Sequence, residues 1–252
     1  MALIEIGSAT STGRDVMRTT TMQQTARRYV LDRMGPQDID EVARIERRSF
    51  TSPWPMAAYR RELRRTEQNT YLVLRTDPDA HASDDERGGV LAHLPFAGLL
   101  RRDSSGDAPR IAGFAGMWQL YDEAHVTTIA VDPRMRGRGL GEALFVALLA
   151  EATKRGTTWL SLEVRASNRI AQRLYEKYEL AAYSRRKGYY TNDGEDALVM
   201  WSRSLRDPAY VSRLNALRDQ LQRRVGEAVE VPRLHDVGWQ QRLSQTDGAG
   251  AD

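Results

Sequence analysis

Residues 126–131, VTTIAV, alternate in the period of a strand, with Val126, Thr128 and Ala130 on one face and Thr127, Ile129 and Val131 on the other. Asp132-Pro133 ends the run. From Leu140 the spacing changes. Leu140, Ala143, Leu144, Ala147 and Leu148 recur at i, i+3, i+4, i+7 and i+8, which is one apolar face of a helix. The same two periods organise the rest of the chain. Residues 29–32, 71–74 and 111–120 read as strands, with Gly113 and Gly116 as bulges or close-packing positions. Asp38-Ile39-Asp40-Glu41 has the form of a capping box before a helix that turns Ile39, Val42 and Ile45 inward. A second helix is predicted after Ser52-Pro53-Trp54-Pro55, with Met56, Tyr59 and Leu63 on one side. Phe50 and Trp54 either line an acceptor groove or plug the core.

Downstream, residues 158–165 alternate again: Leu160, Leu162 and Val164 face one way, and Trp159, Ser161, Glu163 and Arg165 the other. A solvated sheet face is the ordinary reading of such a glutamate. Asn168 opens a helix whose Ile170, Leu174 and Tyr178 share a face, with Ala171 and Tyr175 beside them. Asp207-Pro208 opens another, striped by Val211, Leu214, Leu217, Leu221 and Val225. The organisation expected is a disordered leader (1–27), one domain (28–205) interrupted by an insertion (76–110), an amphipathic helix (206–230) and a flexible tail (231–252).

Charge and composition remove several classes. The 252 residues carry 37 Lys and Arg against 34 Asp and Glu, a net charge of +3, so no field marks a nucleic-acid-coating protein. The chain has no cysteine, which excludes disulfides, thiolate metal sites and a cysteine nucleophile. No run approaches the roughly 18 apolar residues of a membrane span, and the N-terminus lacks an apolar signal core. The expectation is a cytoplasmic protein with no membrane partner, no specific nucleic-acid partner and no metal.

The change of period at residues 131–140 is itself a candidate site. A strand leading through glycines and arginines into a helix N-terminus gathers unpaired backbone N–H groups and the positive end of a helix dipole, which suits phosphate. A dinucleotide fingerprint starting at Gly137 would need glycine at 142, where Glu142 stands, and the P-loop would need Lys-Ser/Thr after its last glycine. R-x-x-G-x-G does fit, as Arg136, Gly137, Arg138, Gly139, Leu140 and Gly141. After a strand ending Ile129-Ala130-Val131, it resembles the pyrophosphate-binding motif with which GNAT N-acetyltransferases hold acetyl-CoA.

Further residues sharpen the likeness. Leu162-Glu163-Val164-Arg165-Ala166-Ser167-Asn168, then Leu174-Tyr175-Glu176, then Arg185-Arg186 with Tyr189-Tyr190, resemble the RimI-type ribosomal-protein-alanine N-terminal acetyltransferases. The resemblance implies an α/β (α+β) fold: a bent, mixed, mainly antiparallel sheet flanked by helices, with a splayed central strand pair. It implies Glu163 as general base and Tyr175 as general acid, and contacts to acetyl-CoA from Ile129, Ala130, Val131, Arg136, Gly137, Arg138, Gly139, Leu140, Gly141, Glu142 and Asn168. The acceptor implied is a protein N-terminal α-amine, with a ribosomal protein as its source. Two departures stand out. Glu179-Leu180 replaces the usual Gly-Phe after the Tyr175 helix, removing a glycine cap, and Thr191 follows Tyr189-Tyr190 where proline is usual. A lysine or small-amine acetyltransferase and a non-catalytic coenzyme A-binding module are the alternative readings.

The chemistry asks for these residue types on its own terms. Direct acetyl transfer needs a neutral amine, a donor for the developing oxyanion and a proton for the departing thiolate. A glutamate takes the first proton, a tyrosine hydroxyl gives the last, and a backbone N–H near the end of the 129–131 strand polarises the thioester carbonyl.

Overall fold

The computed structural model describes residues 3–4, 29–76 and 110–235. Among them the strands are β1 (Leu3–Ile4), β2 (Tyr29–Arg33), β3 (Asn69–Thr76), β4 (Ile111–Leu120), β5 (Glu123–Val131), β6 (Trp159–Arg165), β7 (Ala181–Tyr190) and β8 (Glu195–Trp201). The helices are α1 (Ile39–Ser49), α2 (Met56–Glu62), α3 (Leu140–Lys154), α4 (Arg169–Lys177) and α5 (Pro208–Val225). One mixed sheet runs β2-β3-β4-β5-β6-β8-β7. Along that order the pairs are antiparallel except β5 with β6, which the α3 crossover joins in parallel, and β1 adds a second parallel pair with β5 off that path. This is the mainly antiparallel α/β sheet expected.

Two apolar layers flank the sheet. On one side Ile39, Val42, Ile45, Phe50 and Tyr59 of the α1–α2 region pack on Tyr71, Val73, Phe114 and Ala130. On the other, α3, α4 and α5 share a core with Leu72, Val126, Ile129, Leu162 and Val164. Helix α3 is buried on every side between Ala143 and Thr153, not along a single stripe. The sheet covers one flank, and Val211, Leu214 and Leu221 of α5 belong to the same core.

Several local expectations are corrected. The alternation of β5 does not hold throughout, because Gly116 pairs with Thr128 while the next residue, Met117, pairs with Val126. Thr127 is therefore the extra residue of a bulge, and Val126 and Ile129 come to the same core. Gly116 makes room for this: a Cβ there would lie 2.3 Å from the Tyr71 ring. The capping box does not form at α1. The Asp38 carboxylate accepts from Gly35 N–H and pairs with Arg75, and Glu41 accepts from Ile111 N–H. In α2 the buried residues are Ala58, Tyr59 and Glu62, while Met56 is exposed. Where glycine was missed, Glu179 takes φ 59°, a left-handed conformation, braced by Arg203 and Arg213.

Leu3–Ile4, assigned to a disordered leader, pair in parallel with Thr128 and Ile129 of β5. Val231 and Leu234 are buried, and Val229 bridges to Tyr29. Thr76 N–H donates to Arg110 O, closing the base of the insertion. The remainder of the leader, residues 77–109 and the tail beyond 235 lie outside the described residues.

Candidate active site

Strands β5 and β6 pair only from Glu123 opposite Trp159 to Val126 opposite Leu162. Beyond those pairs β5 continues to Val131 and β6 to Arg165, so the two strands part there, and Glu163 is the first residue of β6 past the last pair. The bulge at Thr127 lies at the same level on β5. Leu3–Ile4 sit along β5 at Thr128 and Ile129, on the edge away from β4.

Glu163 does not face solvent. It is 1% exposed, which overturns the solvated-face reading. Its Oε1 lies 3.0 Å from Arg186 Nη1, and its Oε2 lies 3.0 Å from His125 Nε2, at ion-pair distance but off the line of a hydrogen bond. Burial works to raise its pKa, and the pull of His125 and then of Arg186 outweighs it, so the carboxyl is held below the ordinary glutamate value. The group is thus an ionised carboxylate at neutral pH. Sequence reasoning missed His125. Its place opposite Ser161 depends on the parallel register of β5 and β6, which no local pattern records.

Tyr175 lies in α4 against Phe145, fully buried, and its hydroxyl has no hydrogen-bond partner among the described residues. Burial, helped by the neighbouring Tyr190, pushes its pKa well above the ordinary tyrosine value. It therefore stays protonated and keeps an unspent donor. Tyr190 is within electrostatic reach of both Tyr175 and Glu163.

The glycine loop forms as its residues require. Gly137 and Gly139 have φ 79° and 80°, where side chains are strained, and Gly139 is the N-cap of α3. Leu140, Gly141 and Glu142 are the first three residues of α3, whose N–H groups have no carbonyl four residues back within the helix. A Cβ at Gly137 would meet nothing within 4 Å, whereas one at Gly139 would lie 2.9 Å from Val225 of α5. Substitution at Gly139 therefore disturbs helix packing as well as the loop. Arg136 reaches back to Val131 O and Ser49 Oγ, and Arg138 donates to the Tyr29 hydroxyl. The Glu142 side chain points to Lys177, Tyr178 and Arg224, so its backbone N–H is what it offers a phosphate. Asn168 caps α4, its Oδ1 accepting from Ala171 N–H. The orphaned Tyr175 hydroxyl and the open backbone cradle at Gly137 fit an acyl thioester carried on a pyrophosphate.

The Phe50 and Trp54 alternatives divide between the two residues. Phe50 is core, while Trp54 lines a groove of about 540 Å³ with Trp118, Glu62 and Arg61 on the α1–α2 side of the sheet. Trp118 stands between Trp54 and His125, with ring centroids 6.3 Å from each. Among the described residues no helix is long and apolar enough to cross a membrane, and no cluster of three metal-ligating side chains occurs.

Comparisons with known proteins agree with this geometry. A profile of the acetyltransferase (GNAT) family matches residues 39–179. A Bacillus subtilis (strain 168) protein, provisionally named a [ribosomal protein bS18]-alanine N-acetyltransferase, is 38% identical over 168 residues, spanning 67% of this chain and 91% of its own. The Escherichia coli (strain K12) [ribosomal protein bS18]-alanine N-acetyltransferase is 46% identical over 93 residues, 36% of this chain and 63% of its own. The crystal structure of the ribosomal-protein-S18-alanine N-acetyltransferase from Escherichia coli superposes with a TM-score of 0.54 at 28% identity, covering 70% of this chain and 94% of that one. With its sheet order, its parting strands and its glycine loop, the chain belongs to the GNAT family of acetyltransferases, among relatives of the RimI type.

Proposed function

We propose that the protein transfers the acetyl group of acetyl-CoA to the α-amine of a protein N-terminus, with Glu163 as general base and Tyr175 as general acid. The observation that carries this reading is the pairing of opposite environments around the parting strands: a buried carboxylate held ionised and a buried hydroxyl held protonated without a partner. Glu163 takes a proton from the amine, directly or through water. Nitrogen attacks the thioester carbonyl, the C–S bond breaks, and the Tyr175 hydroxyl supplies the proton to sulfur. The residues 137–142 hold the pyrophosphate through backbone N–H groups, and Ile129, Ala130 and Val131 flank the acyl end. Arg136, Arg138 and Asn168 complete the donor side.

The basicity of the acceptor follows from Glu163. Deprotonating an α-amine of pKa about 7.7 to 8.0 at pH 7 costs roughly 1 kcal/mol, whereas a lysine amine near 10.4 costs nearly 5 kcal/mol. A carboxylate held below its ordinary pKa is a weak base and suits the less basic amine. The names of the relatives make an N-terminal alanine of a ribosomal protein the first acceptor to try. Acetyl-CoA turnover against peptides with free N-termini, an alanine-first peptide among them, and against N-blocked lysine peptides tests the reading. Faster turnover of the free N-termini is expected; preference for the blocked lysine peptides would overturn it.

A further inference from the structure

Behind Glu163 a line of polar side chains runs out of the sheet. His125 Nε2 lies 3.0 Å from Glu163 Oε2, and His125 Nδ1 lies 2.8 Å from Ser161 Oγ. Ser161 in turn donates to Glu123 Oε1. The Glu163 side chain is 1% exposed, while the His125 and Glu123 side chains are 24% and 30% exposed, with Ser161 buried between those two. A serine hydroxyl has one proton, and here it goes to Glu123. Ser161 must therefore accept from Nδ1–H, which leaves Nε2 as the ring nitrogen nearest Glu163 Oε2.

We propose that His125 is the proton exit of the active site, a positioning and relay residue that clears Glu163 after each acetyl transfer. This rests on Glu163 being the base. The amine's N–H bond breaks as an O–H forms on Glu163. The His125 ring turns Nε2 into line with Oε2, and that O–H breaks as N–H forms on Nε2, giving an imidazolium. The imidazolium yields its Nδ1 proton to Ser161 Oγ while Ser161 passes its own to Glu123, which loses it to water. One proton enters and one leaves, and exchange with water at the partly exposed ring restores the Nδ1–H form. Arg186 occupies the other oxygen of Glu163. The groups facing His125 are Glu163 and Ser161 on β6, Glu123 on its own strand at 3.9 Å, and the Trp118 ring on β4, itself tied to Glu62. Glu123 is thus the counter-charge for the imidazolium.

The test is His125→Gln, with Ser161→Ala as the milder second variant, assayed on whichever amine the wild-type enzyme acetylates. In dilute, non-imidazole buffer kcat should fall roughly tenfold or more for His125→Gln, less than for loss of the base itself, with the KM for acetyl-CoA unchanged. Added imidazole should restore it in proportion to concentration, and the wild type should show no such dependence. Ser161→Ala should show the same buffer dependence to a lesser degree. An undiminished kcat, or a loss that imidazole leaves untouched in both variants, overturns the relay. Glu163→Gln separates this from the reading beneath it. If that variant stays fully active the base assignment falls, while a dead Glu163→Gln beside a normal His125→Gln overturns the relay alone.

Discussion

Glu46 and Glu163 are each 1% exposed, yet their pKa values are displaced in opposite directions. Glu46 closes the α1–α2 junction, its oxygens accepting from Trp54 N–H at 3.0 Å and the Tyr59 hydroxyl at 2.8 Å. Both donors are neutral. Burial dominates there and lifts its pKa to about 7, against which the two hydrogen bonds pull only weakly. Glu163 meets His125 and Arg186 instead, and stays ionised below its ordinary range. Depth alone therefore does not fix the ionisation of a carboxyl; the partners it meets decide the direction of the shift.

The largest expected effect tests this contrast directly. Glu163→Gln should lower kcat/KM by about 10² to 10⁴, the usual worth of general-base catalysis, whereas Glu46→Gln should leave kcat within a few-fold of wild type. The loss at Glu163 should be greatest at low pH and partly recover as pH rises through the pKa of the amine, read in steady-state profiles from pH 6 to 10. Equal losses in the two variants would make both residues structural.

Next in size is Tyr175→Phe. It removes one hydroxyl that has no partner among the described residues and keeps the ring against Phe145. Stability should hold or rise slightly, because a buried unsatisfied hydroxyl costs free energy. Acetyl transfer should slow about 10²-fold. Normal turnover with a raised melting temperature would mark Tyr175 as core only.

The smallest effect is on stability. The folded-state pKa of Glu46, about 7, stands above the value near 4.5 of the unfolded chain, so folded protein binds the extra proton between those limits. This contribution is whole below pH 4.5 and is lost as pH rises through 7. Melting temperature should fall across that window, by about 2 to 4 °C for each kcal/mol, and Glu46→Gln should flatten that part of the profile. A slope unchanged in Glu46→Gln would assign it to other groups.

Much of this was legible in the sequence, for particular reasons. The glycines at 137 and 139 announce a backbone conformation, and the conformation follows wherever the chain folds. The helices around Leu144 and Tyr175 are local periodicities of 3.6 residues. What stayed hidden depends on register. The bulge at Thr127 reverses the alternation of β5 without leaving a mark in VTTIAV, and His125 looks like any polar strand residue until Ser161 is placed beside it. Glu163 read as solvated because strand alternation does not say that both faces of a sheet are covered. Missing glycine at 179 was visible, but the two arginines that brace the strained residue come from beyond β8 and from α5.

The contact of Val225 with the space above Gly139, together with the Arg224–Glu142 pair, joins two segments that the family profile separates, since it ends at residue 179. Loop geometry and helix docking then belong to one equilibrium. A ligand that grips residues 137–142 only when α5 is docked adds RT ln(1 + [L]/Kd) to the stability of the docked state, about 2.7 kcal/mol at a hundredfold excess over Kd. By the same reciprocity, anything that strips α5 from the domain weakens the grip on the ligand by an equal free energy. If residues 137–142 hold the ligand as proposed, the last helix is in that sense part of the binding constant.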